Sequence, residues 1–348
     1  FIGPSYEIIN LMGNKSNSKE LMKKAGVPVI PGSDGDINNI NDTKKIANKI
    51  GYPVMLKASA GGGGKGIRLV YTDLELEKAY DLVKKEAKSA FNNDDIYVEK
   101  FIKNPRHIEI QILADEYGNA IHLGERDCTI QRNNQKILEE SPSAILDNSL
   151  RKKMGEVAIK AVKASNYTNA GTIEFLVDKN KKFYFMEMNT RIQVEHPITE
   201  MVTDVDIVKE QIKIAAGMKL GYKQEDIRFN GYSIECRINA ENPQKKFMPC
   251  PGKITEINFP GGNGVRIDTA IYPGYTIPAI YDSMIAKLIV HAKDRDEAIS
   301  KMKRCLEEFV IEDITTNIDF LLQIMENNIY HNGNYDTSFI EKLISNKS

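Results

Sequence analysis

The sequence lacks any apolar run approaching the roughly 18 residues that a membrane-crossing helix needs, and no signal peptide opens it. It has no C-x-x-C. The four cysteines, Cys128, Cys236, Cys250 and Cys305, are scattered, which argues against a disulfide framework or a cysteine-bound zinc and fits a reducing, cytoplasmic setting. None of the five histidines falls in H-E-x-x-H. Charge of one sign is also missing: 47 Lys plus Arg against 48 Asp plus Glu leave −1, whereas a nucleic-acid binder draws its affinity from an excess of cations. No fixed-period repeat or long low-complexity arm is visible. There remain 348 residues of ordinary globular composition, enough for about two domains with a real core.

The chain starts at Phe1 rather than Met, and Phe1-Ile2-Gly3-Pro4 reads as a strand end running into a turn, so an upstream portion is expected. Residues 15–25 read as a short helix closed by Gly26 and Pro28. The polar stretch from Pro31 to Asn41 reads as a loop and marks a boundary. Strands are expected at 54–58 and 67–71, a capping box Thr72-x-x-Glu75 opens a helix running to about Phe91, and 96–102 is another strand. Residues 31–100 thus form a small α+β unit.

The remainder is strand-rich. Ile108, Ile110 and Ile112 alternate with Glu109 and Gln111, and a turn at 115–119 leads into a partner strand at 120–129. A helix at 149–165 precedes a hairpin at 171–189. Further strands are expected at 232–239, 253–259 and 284–291, with a helix at 295–309. Antiparallel runs with interspersed helices make this larger unit α+β as well.

Gly61-Gly62-Gly63-Gly64-Lys65-Gly66 costs backbone entropy, which close approach to a phosphate would justify better than a simple turn does. It is not a Walker A loop: Gly66 is followed by Ile67, and two strands flank it, so a lid folding over a nucleotide is the better reading. Lys57, just ahead of the loop, either reaches a phosphate or snorkels from an edge strand.

The hairpin 172–189 is more informative. With its turn centred on Asn180-Lys181, cross-strand partners sum to 361 and Glu174 opposes Glu187. Like charges directly opposite are destabilising, and apolar neighbours deny them water. A divalent cation resolves the conflict, with Asn189 on the same face supplying an amide oxygen and a substrate phosphate completing the shell. If the chain continues extended, Asn189, Arg191, Gln193 and Glu195 project to one side. Arg191 suits a planar oxyanion and Glu195 a general base; an Arg191–Glu195 ion pair is the bland alternative.

With these residues in view, the chain closely resembles the biotin carboxylase component of biotin-dependent carboxylases, within the ATP-grasp superfamily. The matching stretches are Phe1-Ile2-Gly3-Pro4, Lys57-Ala58-x-x-Gly61-Gly62-Gly63-Gly64-Lys65-Gly66, Asn104-Pro105-Arg106-His107-Ile108-Glu109 and Gly124-Glu125-Arg126-Asp127-Cys128. Two more follow, from Glu187 through His196 and from Glu235 through Glu241, and together they run the length of the chain in order. The resemblance implies an α+β ATP-grasp fold without its N-terminal Rossmann-like domain. Residues 1–30 would connect to that domain, 31–100 form the lid subdomain, and 101–348 form the ATP-grasp core with the C-terminal domain.

It also implies ATP- and Mg²⁺- (or Mn²⁺-) dependent carboxylation of biotin. Bicarbonate attacks the γ-phosphate to give carboxyphosphate, which breaks down to CO₂ and phosphate; the phosphate takes the biotin N1′ proton, and the biotin enolate captures CO₂. Position by position, Lys15, Lys57, Gly63, Gly64, Glu99, Lys100, Phe101, Ile102 and His107 correspond to nucleotide contacts, with Glu99 on the adenine amino group. Glu174, Glu187 and Asn189 correspond to metal ligands. Lys136, Arg191, Gln193 and the Val194 backbone correspond to the bicarbonate site, Glu195 to its base, and Arg237 to the residue that stabilises the biotin enolate. The chain departs from the family at Asn133 and Asn134, where an arginine and a histidine are frequent, which leaves Asn134 as the group for a ribose hydroxyl.

No Ala-Met-Lys-Met biotinylation motif is present, so biotin is expected on a separate carrier protein or domain, with a carboxyltransferase component as further partner and a possible homodimer. Acetyl-CoA carboxylase, in fatty acid synthesis, is the expected assembly. The alternatives are another carboxylase such as pyruvate carboxylase, another ATP-grasp ligase such as a carbamoyl phosphate synthetase module, and a non-catalytic nucleotide-binding regulator.

Overall fold

A computed structural model describes residues 1–37, 39–59 and 66–345. The glycine-rich segment, including Gly63 and Gly64, lies outside the described residues. The chain forms two compact units, each assembled from separated stretches rather than from consecutive segments: residues 1–122, 152–193 and 208–223 make the first, and 123–151, 194–207 and 224–348 the second.

The first unit opens with α1 (Tyr6–Gly13) and α2 (Lys15–Lys24), the latter capped by Asn14, whose side chain accepts from the Asn17 amide. A helix α3 (Ile40–Ile50) follows, where the sequence suggested only the end of a loop; Asn39 caps it. Strands β1 (Val54–Ala58) and β2 (Ile67–Val70), helix α4 (Asp73–Phe91) and strand β3 (Ile96–Lys100) complete a small sheet of order β2-β1-β3. Thr72 caps α4 as its capping box predicts: the Glu75 amide donates to Thr72 Oγ1 at 3.3 Å, while the Glu75 carboxylate accepts from the Tyr71 amide at 2.8 Å. Alternation sends Val54, Leu56, Ile96 and Val98 into a core with Ala47, Leu76 and Val83 of the two helices. Lys57 and Glu99 are left on the opposite face. Because β1 is central, Lys57 is not an edge-strand lysine.

The same unit holds a second antiparallel group. Strand β4 (Arg106–Ala114) pairs with β7 (Asn169–Val177), and β7 with β8 (Phe183–Asn189). Most of α5 (Asn148–Ala164) and α7 (Ile207–Ala215) belong here too. Glu174 does oppose Glu187, but partners nearer the turn sum to 360, not 361: Phe175 faces Phe185 and Val177 faces Phe183. The turn occupies residues 178–182, with Lys181 at a φ of +60°, and a bulge at Met186 absorbs the extra residue.

In the second unit the sheet order is β14-β16-β9-β6-β5. These are β5 (Ala120–Arg132), β6 (Gln135–Ser141), β9 (Tyr232–Asn239), β14 (Val265–Thr269) and β16 (Met284–Ala292). Arg132 pairs with Gln135, so Asn133-Asn134 is a two-residue turn with both φ values positive (50° and 62°), a conformation that asparagine tolerates better than arginine or histidine. The short strands β10 (Glu241–Asn242), β11 (Met248–Pro249), β12 (Gly252–Lys253), β13 (Ile257–Asn258), β15 (Thr276–Ile277) and β17 (Val310–Ile311) decorate this unit. The single strand expected at 253–259 is instead broken between β12 and β13. Ile234, Cys236 and Ile238 point into a core with Leu138, Leu288 and Val290, closed by α8 (Arg295–Glu308) and α9 (Ile318–Met325). By the same alternation Glu235 and Arg237 face the other way. Helix α6 (His196–Thr203) completes the elements used below.

Candidate active site

In the first unit, three glutamates line up across three strands. Glu109 on β4 is the register partner of Glu174 on β7, which is the partner of Glu187 on β8. The first two are 0% and 3% exposed. Glu174 Oε1 accepts from Asn189 Nδ2 at 2.8 Å and from Gln193 Nε2 at 3.0 Å, and Oε2 lies 2.8 Å from His107 Nε2. Gln193 also reaches Glu109 at 3.4 Å. At the more exposed end, Glu187 pairs with Lys15 at 3.1 Å. One ligand atom each from His107, Glu109 and Glu174 lie within 4.8 Å of one another. Adjacent carboxylates buried among amides call for a divalent cation, and their hard oxygens suit Mg²⁺. Glu109 escaped the sequence reading as a site residue. Its signal was the acid-amide face of the alternating Ile108–Ile112 run.

On the small sheet, Glu99 is 5% exposed and pairs with Lys57, while Lys19 Nζ stands 3.6 Å away. Burial, assisted by the neighbouring Lys57 and opposed by Glu99, lowers the Lys19 pKa. Lys19, one helical turn beyond Lys15, is a second group that the sequence did not single out. Lys100 donates instead to the Gly51 and Tyr52 carbonyls at 2.8 and 2.9 Å. Phe101 and Ile102 follow β3 in a loop, where the Phe101 amide donates to the Pro53 carbonyl.

The expected extended run from Asn189 to Glu195 is not found. Strand β8 ends at Asn189, and Glu195 is the N-cap residue of α6 with φ −82° and ψ 7°, since Pro197 favours the first turn of a helix. Arg191 is exposed and donates to the Ile192 carbonyl at 3.0 Å.

In the second unit Glu195 is 2% exposed and gripped by cations. Lys136 Nζ donates to Oε1 at 2.6 Å, and Arg237 donates to Oε2 at 2.8 Å. Arg237 Nε also donates to Glu139 Oε1 at 2.7 Å. Burial alone would lower the arginine's pKa, but Glu139, Glu195 and Glu235 raise it. Glu139 and Glu235 are cross-strand partners, both fully buried. Burial raises both carboxyls, Glu139 to about 7, although Arg237 opposes the shift at Glu139; the Glu139 charge raises Glu235 further. Asn134 sits at the exposed turn between β5 and β6.

Two family models cover most of this chain: "Carbamoyl-phosphate synthase L chain, ATP binding domain" matches residues 14–223, and "Biotin carboxylase C-terminal domain" matches 235–342. Biotin carboxylase 1 of Bacillus subtilis (strain 168) is 58% identical over 342 residues, 98% of this chain and 76% of that protein. The chain belongs to the biotin carboxylase family. Among solved structures, the biotin carboxylase–β-γ-ATP complex from Campylobacter jejuni matches with a TM-score of 0.94 at 54% identity, covering 98% of this chain and 76% of that one. The biotin carboxylase domain dimer of Hydrogenobacter thermophilus 2-oxoglutarate carboxylase, in complex with MgADP, ADP and bicarbonate, matches with a TM-score of 0.93 at 53% identity, with the same coverage. An ATP-grasp biotin carboxylase therefore carries both the row of acids and the cation-held glutamate.

Proposed function

We infer that this biotin carboxylase uses MgATP and bicarbonate to carboxylate biotin, and that the residues above divide that work between them. The observation that carries the assignment is the Glu109–Glu174–Glu187 row, three acids in register on neighbouring strands. Glu174, Glu187 and Asn189 are the ligands we assign to Mg²⁺, with Glu109 reinforcing the charge. Bound there, the ion offsets the charge of the phosphates during phosphoryl transfer. Lys57 and Lys15 contact the nucleotide, as do His107 and the segment from Glu99 to Ile102, with Asn134 on the ribose. Lys57 is held by Glu99 before a phosphate arrives.

Bicarbonate is taken by Lys136, Arg191, Gln193 and the Val194 backbone. Lys136 and Arg237 hold the Glu195 carboxylate in place as the base that takes the bicarbonate proton. Arg237 then stabilises the negative oxygen of the biotin enolate, a role suited to a guanidinium that stays charged.

Biotin arrives on a separate carrier protein or domain, a carboxyltransferase uses the product, and two copies of the chain pair. The cytoplasm is the proposed location; no helix among the described residues is long and apolar enough to cross a membrane. Acetyl-CoA carboxylase is the proposed assembly, supported by the 58% identity to a protein named simply as a biotin carboxylase, against 53% to a 2-oxoglutarate carboxylase domain. The decisive assay is ADP release with free biotin. Turnover requiring both bicarbonate and biotin is the expected result, and turnover indifferent to biotin removes the assignment.

A further inference from the structure

We propose that Lys287 is a positioning residue for the reaction: from β16 it pins the peptide joining Val194 to Glu195 and so aims the Glu195 carboxylate. This rests on the reading of Glu195 as the base for bicarbonate. Lys287 Nζ donates to the Val194 carbonyl at 2.9 Å and lies 3.1 Å from Asp268 Oδ2, with 13% of its side chain exposed.

Three strands each send one cation to a two-residue segment. Lys136 on β6 and Arg237 on β9 hold the side chain of Glu195, while Lys287 holds the backbone immediately before it. Lys287 and Arg237 are register partners on β16 and β9, which places these two cations side by side.

Local structure does not do this job. An N-cap carboxylate ordinarily accepts from amides of its own first turn, but Glu195 makes no such bond, and the proline in that turn has no N–H to give. The carboxylate is thereby available for chemistry, and its position must be fixed from outside the helix. A lysine ammonium bound to a carbonyl is a stronger restraint than a neutral donor. Nor is Lys287 present merely to neutralise Asp268, because Arg266 already donates to both oxygens of that carboxylate at 2.8 and 3.0 Å.

The test compares Lys287→Met, Lys287→Arg and Asp268→Asn with wild type. It reads kcat, the KM values for bicarbonate and ATP in the free-biotin assay, melting temperature, and amide exchange over residues 190–197. Lys287→Met is expected to lose about tenfold or more in kcat/KM for bicarbonate with an unchanged KM for ATP, and to exchange faster in that segment alone. Lys287→Arg restores most of the loss, and Asp268→Asn, which loosens the lysine, costs about threefold. Wild-type bicarbonate kinetics in a folded Lys287→Met variant overturn the proposal. So does an equal loss towards ATP and bicarbonate that arginine does not repair. If the methionine variant fails to fold, wild-type bicarbonate kinetics in Asp268→Asn overturn it. If wild type shows no bicarbonate-dependent turnover, the assignment of Glu195 fails instead. The positioning claim is then decided by exchange: unchanged protection of 190–197 in Lys287→Met ends it.

Discussion

The two units surround their candidate carboxylates in different ways. Along β4, β7 and β8, Glu109, Glu174 and Glu187 stand beside one another; two amides and an imidazole contact Glu174, and Lys15 contacts Glu187 at the exposed end of the row. In the second unit, Glu195 has a lysine and an arginine on its two oxygens. A row of adjacent acids is a site that a bound cation can complete. A carboxylate already matched by two cations is held in place as it stands. In the roles proposed above, the same residue type would serve as metal ligand in one place and as base in the other.

This contrast makes opposite predictions for the same substitution. Glu195→Gln leaves Lys136 and Arg237 facing a neutral amide, and breaking a buried pair in this way costs about 3 kcal/mol. Its melting temperature should fall, and biotin-dependent ATP turnover should drop by about 10² or more. Glu187→Gln also damages turnover severely, most visibly at limiting Mg²⁺, because one carboxylate fewer holds the ion less well. Yet without metal it should melt no lower than wild type, since the substitution relieves like-charge repulsion. Calorimetry of both variants in EDTA, paired with ATPase assays over a Mg²⁺ series, checks the contrast. A lower melting temperature for Glu187→Gln would break it.

The third prediction concerns the buried pair beside Arg237. Glu139 keeps its proton up to about pH 7 in the folded chain, above the ordinary carboxylate value of 4.5. The folded state then binds more protons than the unfolded one between these values. The resulting stabilisation is complete below about 4.5 and is lost as pH rises through about 7. Glu139→Gln removes the titrating group together with the charge that raises Glu235, and should flatten the decline. Melting temperatures from pH 4.5 to 8 read the change; an unaltered slope would show that the decline does not come from this pair. The smallest effect is expected from Lys15→Met. It removes the ammonium that pairs with Glu187 and should lower the metal-free melting temperature slightly, with a modest rise in the KM for MgATP.

How much of this could be read in advance depended on the range over which each signal acts. Thr72 and Glu75 announce α4 because a capping box is complete within four residues. The Glu174–Glu187 opposition followed from one hairpin. What failed needed information from farther away. The run from Asn189 to Glu195 looked extended, but Pro197 and the turn into α6 bend it, and Glu195 finds its partners on β6 and β9 rather than in Arg191. Glu109 was visible as the polar phase of a strand, yet only the pairing of β4 with β7 makes it a member of the acid row. Lys19 and Lys287 gave no local sign at all, since nothing in their own helix or strand indicates that Glu99 or the Val194 carbonyl lies within reach. The two discontinuous units arise in the same way, from contacts that sequence spacing does not encode.

The bulge at Met186 has a consequence for insertions and deletions. Strict alternation along β8 would put Glu187 on the same side as Phe183 and Phe185, inside the apolar layer with Ile173 and Phe175. The additional residue inverts the phase, so the phenylalanines stay inside while Glu187 and Asn189 emerge beside Glu174. Met186 therefore acts as a phase shifter that separates two reading frames of one strand. The turn at 178–182 can change length as long as the phenylalanine frame is kept, and the ligand frame does not notice. Deleting Met186 alone would leave Phe185 opposite Phe175 and Glu187 opposite Glu174 in plain alternation, so the bulge is lost while the carboxylate keeps its face.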